Sequence, residues 1–327
     1  MARTEPAIHL LSIPTPFPVG PVNVYLLEGE PLTLVDAGPL TDDAFQALKA
    51  GLKELGYSLQ DIEQLIITHA HHDHFGQAGR IVEESGATLL SFRENRYPLE
   101  EFDTWWDKRM VYLADLMIKE GAPQESLREM DAIRGIGRYA APVPELTPLD
   151  DNDQVRMGGW TWQALHTPGH ALGHLCFYQQ ESRLLLSGDH LLRDITSNPV
   201  LETPRRGMRE RPRSLPDYVH SLRRVRDLDV EKALPGHGEP VYDHRAHIDS
   251  ILAHHAARER LILQLLRQKD STVYELGVAL FGRELPGVQL FLVMSEIIGH
   301  LDLLELAGRV TRVEKDGRGV WTAASRE

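Results

Sequence analysis

The chain of 327 residues is 42% hydrophobic and 25% charged, ordinary values for a globular protein that exclude a disordered, collagen-like or disulfide-scaffold chain. Its one cysteine, Cys176, excludes an internal disulfide framework and a cysteine-rich zinc site, and suits a reducing, cytoplasmic setting. The formal charge of −13 is uneven: residues 1–239 hold 24 Lys and Arg against 36 Asp and Glu, and residues 240–327 hold 11 against 12, so neither part has the basic excess on which binding to a phosphate backbone draws.

Pro6, Pro14, Pro16 and Pro18 break the N-terminal stretch, leaving no apolar core of signal-peptide length. No later stretch reaches the roughly 18 uncharged apolar residues that a membrane span needs. Residues 22–36 read as two short strands around a glycine-containing turn, and an amphipathic helix ends near Gly56. The segment "LIITH" predicts a buried strand, "FGQAGRIVEESG" a helix closed by Gly86, and "ATLLSF" another strand. After residue 145 short strands return in "QVRMGG", "TWQALHTPGH", "LCFYQQ", "RLLLSGDH" and "EKALPGHG". Two similar passes of strands and helices predict an α/β protein over residues 1–240.

Residues 93–145 interrupt the second pass. Phe102, Trp106, Met110, Leu113 and Met117 form one helical stripe and Trp105, Arg109, Tyr112 and Leu116 a second beside it. A helix with two faces to cover packs on its own domain, overhangs a substrate pocket as a lid, or makes a dimer contact, so a homo-oligomer stays open. From residue 241 to 327 three helices and a hairpin turning at Asp316 and Gly317 predict a smaller winged-helix-like domain, with Ser271 as the N-cap of the middle helix.

The chemistry is concentrated in "HAHHDH", residues 69–74, with four histidines and one aspartate in six positions. In a loop leaving a strand, His69 and His71 point to one side, and Asp73 and His74, nearly a turn further on, can reach a neighbouring position. Imidazole and carboxylate suit borderline divalent ions. His170 in "TPGH", Asp189 in "SGDH" and His237 in "PGHG" supply further donors, each beside a glycine that lets backbone approach a crowded centre. His72 reads as a bystander, and His166, His174 and His190 as supports packed behind their neighbours.

These four motifs, in this order, resemble the metal-binding motifs of the metallo-β-lactamase superfamily over residues 1 to about 240. The resemblance implies an αββα sandwich with two divalent metal ions at one edge, Zn²⁺ foremost, with Fe²⁺ and Mn²⁺ as alternatives. It implies one ion on His69, His71 and His170, another on Asp73, His74 and His237, and Asp189 bridging. Asp36 in "TLVDAG" matches the family's carboxylate behind a ligand imidazole, and His190 is read in the same supporting layer. The implied activity is a dinuclear hydrolase working through metal-bound hydroxide, with Asp73 orienting the nucleophile.

Departures narrow the branch. Histidine at position 71, where the flavodiiron branch has glutamate, argues against a redox di-iron role, and the segment after Pro240 differs from the glutathione-binding tail of glyoxalase II. The tail looks like that of a hydrolase branch that includes endoribonucleases. Four readings result: a hydrolase of small acyl substrates (ester, thioester or lactone), a phosphodiesterase or endoribonuclease, a mononuclear iron persulfide dioxygenase, and a nucleic-acid-binding regulator with a vestigial site. A chain this acidic favours a small-molecule substrate over nucleic acid. Pocket candidates are Trp105, Trp106, Met110 and Tyr112 for an apolar group, and Arg205, with Arg206, Arg209, Arg211 and Arg213 behind it, for a carboxylate or phosphate or for pairing with the acidic surface.

Overall fold

The computed structural model describes residues 6–205, 207–282 and 288–324. The first sheet runs in the order β1 (Ile8–Ile13), β2 (Val22–Leu27), β3 (Thr33–Val35), β4 (Gln64–Ile66), β5 (Thr88–Phe92) and β6 (Thr147–Leu149). Its first two pairings are antiparallel and the other three parallel. The second sheet has the order β11 (Lys232–Pro235), β10 (Leu184–Gly188), β9 (Leu175–Gln179), β8 (Trp160–His166) and β7 (Gln154–Met157), with only β10 and β11 parallel.

Alternation along each strand divides the core. On β2, Val22, Val24 and Leu26 face α1 (Asp42–Glu54) and its neighbours, and Tyr25 and Leu27 face the second sheet. On β10, Leu184 and Leu186 face the first sheet, and Leu185 faces the outer layer with Leu215 and Leu222. Strands apolar on both sides read as continuous hydrophobic runs because both sheets are covered. The result is four layers, helix, sheet, sheet, helix. The outer helices are α1 with α3 (Ala78–Ser85) on one side and α7 (Ser214–Arg226) with the start of α8 (His244–Leu266) on the other; α2 (His72–Phe75) lies in the metal-motif loop.

The interrupting segment holds α4 (Arg96–Glu100), α5 (Phe102–Lys119) and α6 (Leu127–Arg134). Its Met110, Leu113, Met117 and Met130 share one apolar cluster with the end of α8, with α9 (Val273–Phe281), with α10 (Val288–Leu306) and with the hairpin β12 (Val310–Lys315) and β13 (Arg318–Ala323). The hairpin turns at Asp316 and Gly317, both at positive φ (52° and 73°), as expected. Among the described residues no helix is long and apolar enough to cross a membrane.

One expectation is corrected, and two strands are added to those read from the sequence. The N-cap of α9 is Thr272, not Ser271: its Oγ1 accepts from Glu275 N–H while Glu275 accepts from Thr272 N–H, a capping box that requires the glutamate three residues after the cap. Ser271 instead bridges to Trp321 through two backbone hydrogen bonds. Two strands, β1 and β6, were not foreseen; β6 contains Pro148 and sits at the sheet edge, where a missing N–H is tolerated.

Ile297, fully buried at the middle of α10, tests how far this shared cluster supports the fold. Ile297→Ala should lower stability by about 2–5 kcal/mol, read as a fall in the urea midpoint; a change below about 1 kcal/mol would show that the cluster relaxes around the gap.

Candidate metal centre

Each donor stands just beyond a strand end. Asp36 follows β3 with φ of 64°, His69 follows β4, and His71 is the N-cap of α2, the single helical turn that carries Asp73 and His74. His170 follows β8, Asp189 β10 and His237 β11. Because β3, β4, β10 and β11 end at one edge of the sandwich, the seven ligand candidates meet there. They form three overlapping groups whose ligand atoms lie within 4.8 Å of one another: His69, His71 and His170; His69, His74 and Asp189; and Asp73, His74 and His237.

The tautomers follow from what the outer ring nitrogens face. His74 Nδ1 lies 2.8 Å from Asp36 Oδ2, His170 Nδ1 3.0 Å from the Asn198 carbonyl, and His237 Nδ1 2.8 Å from the Pro21 carbonyl. Carbonyls and carboxylates only accept, so in each ring Nδ1 carries the hydrogen and, in the neutral ring, Nε2 presents a lone pair inward. Those lone pairs face carboxylates: His74 Nε2 is 3.4 Å from Asp189 Oδ1, His237 Nε2 3.3 Å from Asp73 Oδ2, and His170 Nε2 3.5 Å from Asp189 Oδ2. On the other side His71 Nδ1 lies 3.0 Å from His69 Nε2 and 2.9 Å from His170 Nε2.

Such an array fits a divalent cation. Tetrahedral ligands about 2.0–2.1 Å from a metal stand roughly 3.3 Å apart, and the observed separations fall around that value. His74 Nε2, His237 Nε2 and Asp189 Oδ1 are sealed from solvent with no hydrogen-bond partner among the described residues, the condition of atoms whose natural partner is an ion. Gly236 completes the fit, since a Cβ there would lie 2.3 Å from Asp189 Oδ1 and 2.7 Å from His74 Cε1.

Electrostatics divide the site in the metal-free chain. Burial, then the neighbouring rings, pushes His69 down; burial and the His170 ring do the same to His71, and burial also lowers His170, so these three are neutral. Burial also works against His74 and His237, yet Asp189 and Asp36 hold His74 well above its ordinary value, and Asp189 and Asp73 raise His237. Asp73 and Asp189 stay below the usual carboxylate range against their own desolvation because of the His237 and His74 rings.

Supporting residues differ in part from those expected. Asp36 accepts from Thr68 N–H (2.8 Å) and from the Thr68 hydroxyl as well as from His74. His174 accepts the Asp189 N–H on Nε2 at 3.1 Å and so fixes the bridging candidate's backbone. His190, expected among the supports, hydrogen-bonds no ligand among the described residues through its ring: the turn closed by its own N–H to the Ser187 carbonyl sends the ring the other way, edge-on to Tyr218. Ser197, Asn198 and Pro21 orient ligand rings but carry no motif that could have announced them.

A cavity of about 850 Å³ adjoins the centre, lined by Ala70, His71 and His72 on the metal loop and by Trp105, Trp106, Met110, Tyr112 and Arg205. His72 is thus a wall residue, its ring edge-on to Trp106 at 4.6 Å. The arginine segment mostly turns elsewhere. Arg211 makes two 2.7 Å bonds to Asp302, Arg213 bonds Glu305, and Arg205, at the cavity, pairs with Glu94 at 3.2 Å. Arg209 is exposed, and Arg206 lies outside the described residues.

The family model described as metallo-beta-lactamase superfamily matches residues 17–237. The chain belongs to that superfamily. A second model, metallo-beta-lactamase-like C-terminal domain, matches residues 260–323. Probable metallo-hydrolase YqjP of Bacillus subtilis (strain 168) is 35% identical, over 94% of this chain and 95% of that protein. Among solved structures, a metallo-beta-lactamase family protein from Thermus thermophilus is 31% identical with a TM-score of 0.81, over 97% of this chain and 98% of that one. A beta-lactamase domain protein from Burkholderia ambifaria is 25% identical with a TM-score of 0.84, over 98% and 94%. In this superfamily member the donors at the sandwich edge occupy the positions that the sequence motifs marked.

The charge pattern makes a pH test possible. With metal removed, the raised His74 contributes stability that is complete below the ordinary imidazole value of 6.5 and is lost as pH rises through its folded value. Thermal unfolding of chelated protein should therefore show Tm falling on the alkaline side, and His74→Gln should reduce that fall, leaving the part that the raised His237 contributes. An unchanged alkaline limb in the variant would show that His74 does not hold the proton.

Proposed function

We propose that this chain is a hydrolase using two divalent metal ions, zinc foremost, on small acyl substrates: esters, thioesters or lactones. The observation that carries the substrate class is the aromatic and thioether wall of Trp105, Trp106 and Met110 in a cavity bordered by His71 and His72. Hydrolase chemistry agrees with the name of the Bacillus subtilis relative. An atrochrysone carboxyl ACP thioesterase from Cryptosporiopsis sp. (strain 8999), 29% identical over 43% of this chain and 39% of its own length, gives partial support for acyl transfer to water.

His69, His71 and His170 would hold one ion, Asp73, His74 and His237 the other, with Asp189 shared. Ions held by these residues would supply Lewis-acid activation of water and of the substrate oxygen that gains charge. Asp73, whose side chain is 14% exposed against 8% for Asp189, is the slightly more accessible of the two carboxylates and would orient the attacking water by accepting a hydrogen bond. Asp36 keeps His74 in the tautomer that faces the centre. The single thiol is no competing nucleophile, since burial pushes Cys176 up to about 12.

Helices α8 to α10 with the hairpin read as a winged-helix-like module in structural use. Its third helix is mostly buried, and Glu296, Asp302 and Glu305 on it pair with Arg258, Arg211 and Arg213. No basic face is left to reach base edges. Nucleic acid is therefore not favoured as a partner.

Two outcomes test this reading. Elemental analysis of metal-replete protein should give two ions per chain, and Asp189→Asn should lower occupancy of both; a wild-type stoichiometry of one would overturn the dinuclear assignment. Trp105→Ala should raise KM for esters with long apolar acyl chains more than for short ones, by up to about fourfold per lost methylene contact, equivalent to roughly 0.8 kcal/mol each. Equal effects at every chain length would take Trp105 out of acyl binding, and efficient RNA cleavage without esterase activity would reverse the substrate assignment.

A further inference from the structure

An ion pair sits in the wall of this apolar cavity. Arg109, on α5 between Trp105 and Tyr112, and Glu202, in the segment after Asp189, both line the cavity with side chains only 6% and 11% exposed. Arg109 Nη1 donates to Glu202 Oε2, its Nη2 donates to the Leu201 carbonyl at 2.7 Å, and its guanidinium carbon lies 5.3 Å from the Trp105 ring centre. Two of the five guanidinium donors are thereby used. The Leu172 backbone also hydrogen-bonds the Glu202 carboxylate, and neither side chain has a polar atom that is both sealed and without a partner, so the remaining guanidinium donors and carboxylate lone pairs of these cavity-lining residues are open to a ligand.

Stability does not account for the pair. Two charges withdrawn from water into an apolar wall recover little net energy, and well-packed hydrophobic residues in their place are often as stable or more so. Their chemistry, by contrast, suits a ligand. Side by side, a neutralised cation and anion offer no net attraction to a free carboxylate or phosphate, but they offer donors and an acceptor together, which a hydroxyl or amide satisfies with one group. A plain methylene chain lying across them would leave both charges desolvated and unpartnered.

We propose that Arg109 and Glu202 form a second recognition point that binds an uncharged donor-acceptor group, a hydroxyl or amide, on the acyl portion of the substrate. The proposal rests on the cavity being the acyl site. It makes the substrate a functionalised acyl group rather than a simple fatty chain, with discrimination of the kind shown by sites built to hydrogen-bond a substituent.

The test uses the full chain with methyl decanoate and its monohydroxy isomers, read two ways: binding by tryptophan fluorescence, which needs no turnover, and kcat/KM for hydrolysis. In the wild type one hydroxy isomer should bind about 10- to 100-fold more tightly than methyl decanoate. Glu202→Gln leaves the Arg109 cation uncompensated, so the preference should move from the hydroxy isomer to the half-ester of decanedioic acid, which carries a carboxylate. The double variant Arg109→Met/Glu202→Leu, apolar and similar in volume, should keep the fold and lose the preference altogether. A wild type indifferent to the hydroxyl, or a preference that survives in the double variant, would overturn the proposal. Selective binding without hydrolysis would uphold it while defeating the acyl-hydrolase reading, and absence of binding by every compound would defeat the acyl site and the proposal together.

Discussion

Three N–H bonds, given by Nδ1 of His74, His170 and His237 to acceptors that cannot donate in return, govern the rest of this structure. They fix the neutral tautomer of each ring and aim the Nε2 lone pairs at Asp73 and Asp189. Lone pair against carboxylate is repulsive unless a positive charge lies between them. In the metal-free chain the surrounding carboxylates favour a proton in that place, raising His237 and holding His74 well above its ordinary value. Metal uptake at such a site exchanges protons for the ion, and the folding energy of the sandwich edge becomes partly metal-binding energy.

The ligands come from two sheets, so the site depends on how the sheets are held together. The inter-sheet core, with Trp162 and Phe177 fully buried, sets their separation. A clasp sets their register. Asn23 Nδ2 donates to the carbonyls of Pro235 and Gly238, Asn23 N–H donates to Gly236, and the Tyr25 hydroxyl donates to Pro235 at 2.8 Å. The nearby Pro21 accepts from His237 itself. Strand β2 of one sheet thereby holds the loop that brings a ligand from the other, and bare Gly236 lets that loop close onto Asp189.

The candidate metal donors were readable in the sequence because each motif is local: four of them lie together in residues 69–74 just after β4, and His170, Asp189 and His237 each stand beside a glycine at or shortly after a strand end. The strands with uninterrupted apolar runs were readable for the same reason. Features built from distant partners were not. Arg109 and Glu202 lie 93 residues apart in sequence, Arg211 and Asp302 91 apart, and no spacing rule joins them; the arginine-rich segment left anion binding and pairing with the acidic surface both open because the partners of Arg211 and Arg213 lie on a helix far along the chain. Strand β1 was hidden by the prolines that follow it, and β6 by its three-residue length and Pro148. His190 was read as a support from its adjacency to Asp189; its ring lies 6.1 Å from that of His174 and hydrogen-bonds no ligand candidate among the described residues.

The C-terminal helices bear on the cavity through packing. Helix α10 is apolar nearly all round, a pattern that marks a helix covered on every side, and it touches α6, α7, α8 and α9. Phe291 on it belongs to the shared apolar cluster and also lines the cavity, as do Met110 and Leu113 on α5. One set of side chains therefore holds the interrupting helices in place and shapes the cavity wall. A packed interior transmits volume changes instead of absorbing them, so a substitution made deep in this cluster alters the cavity even where it contacts neither metal nor substrate.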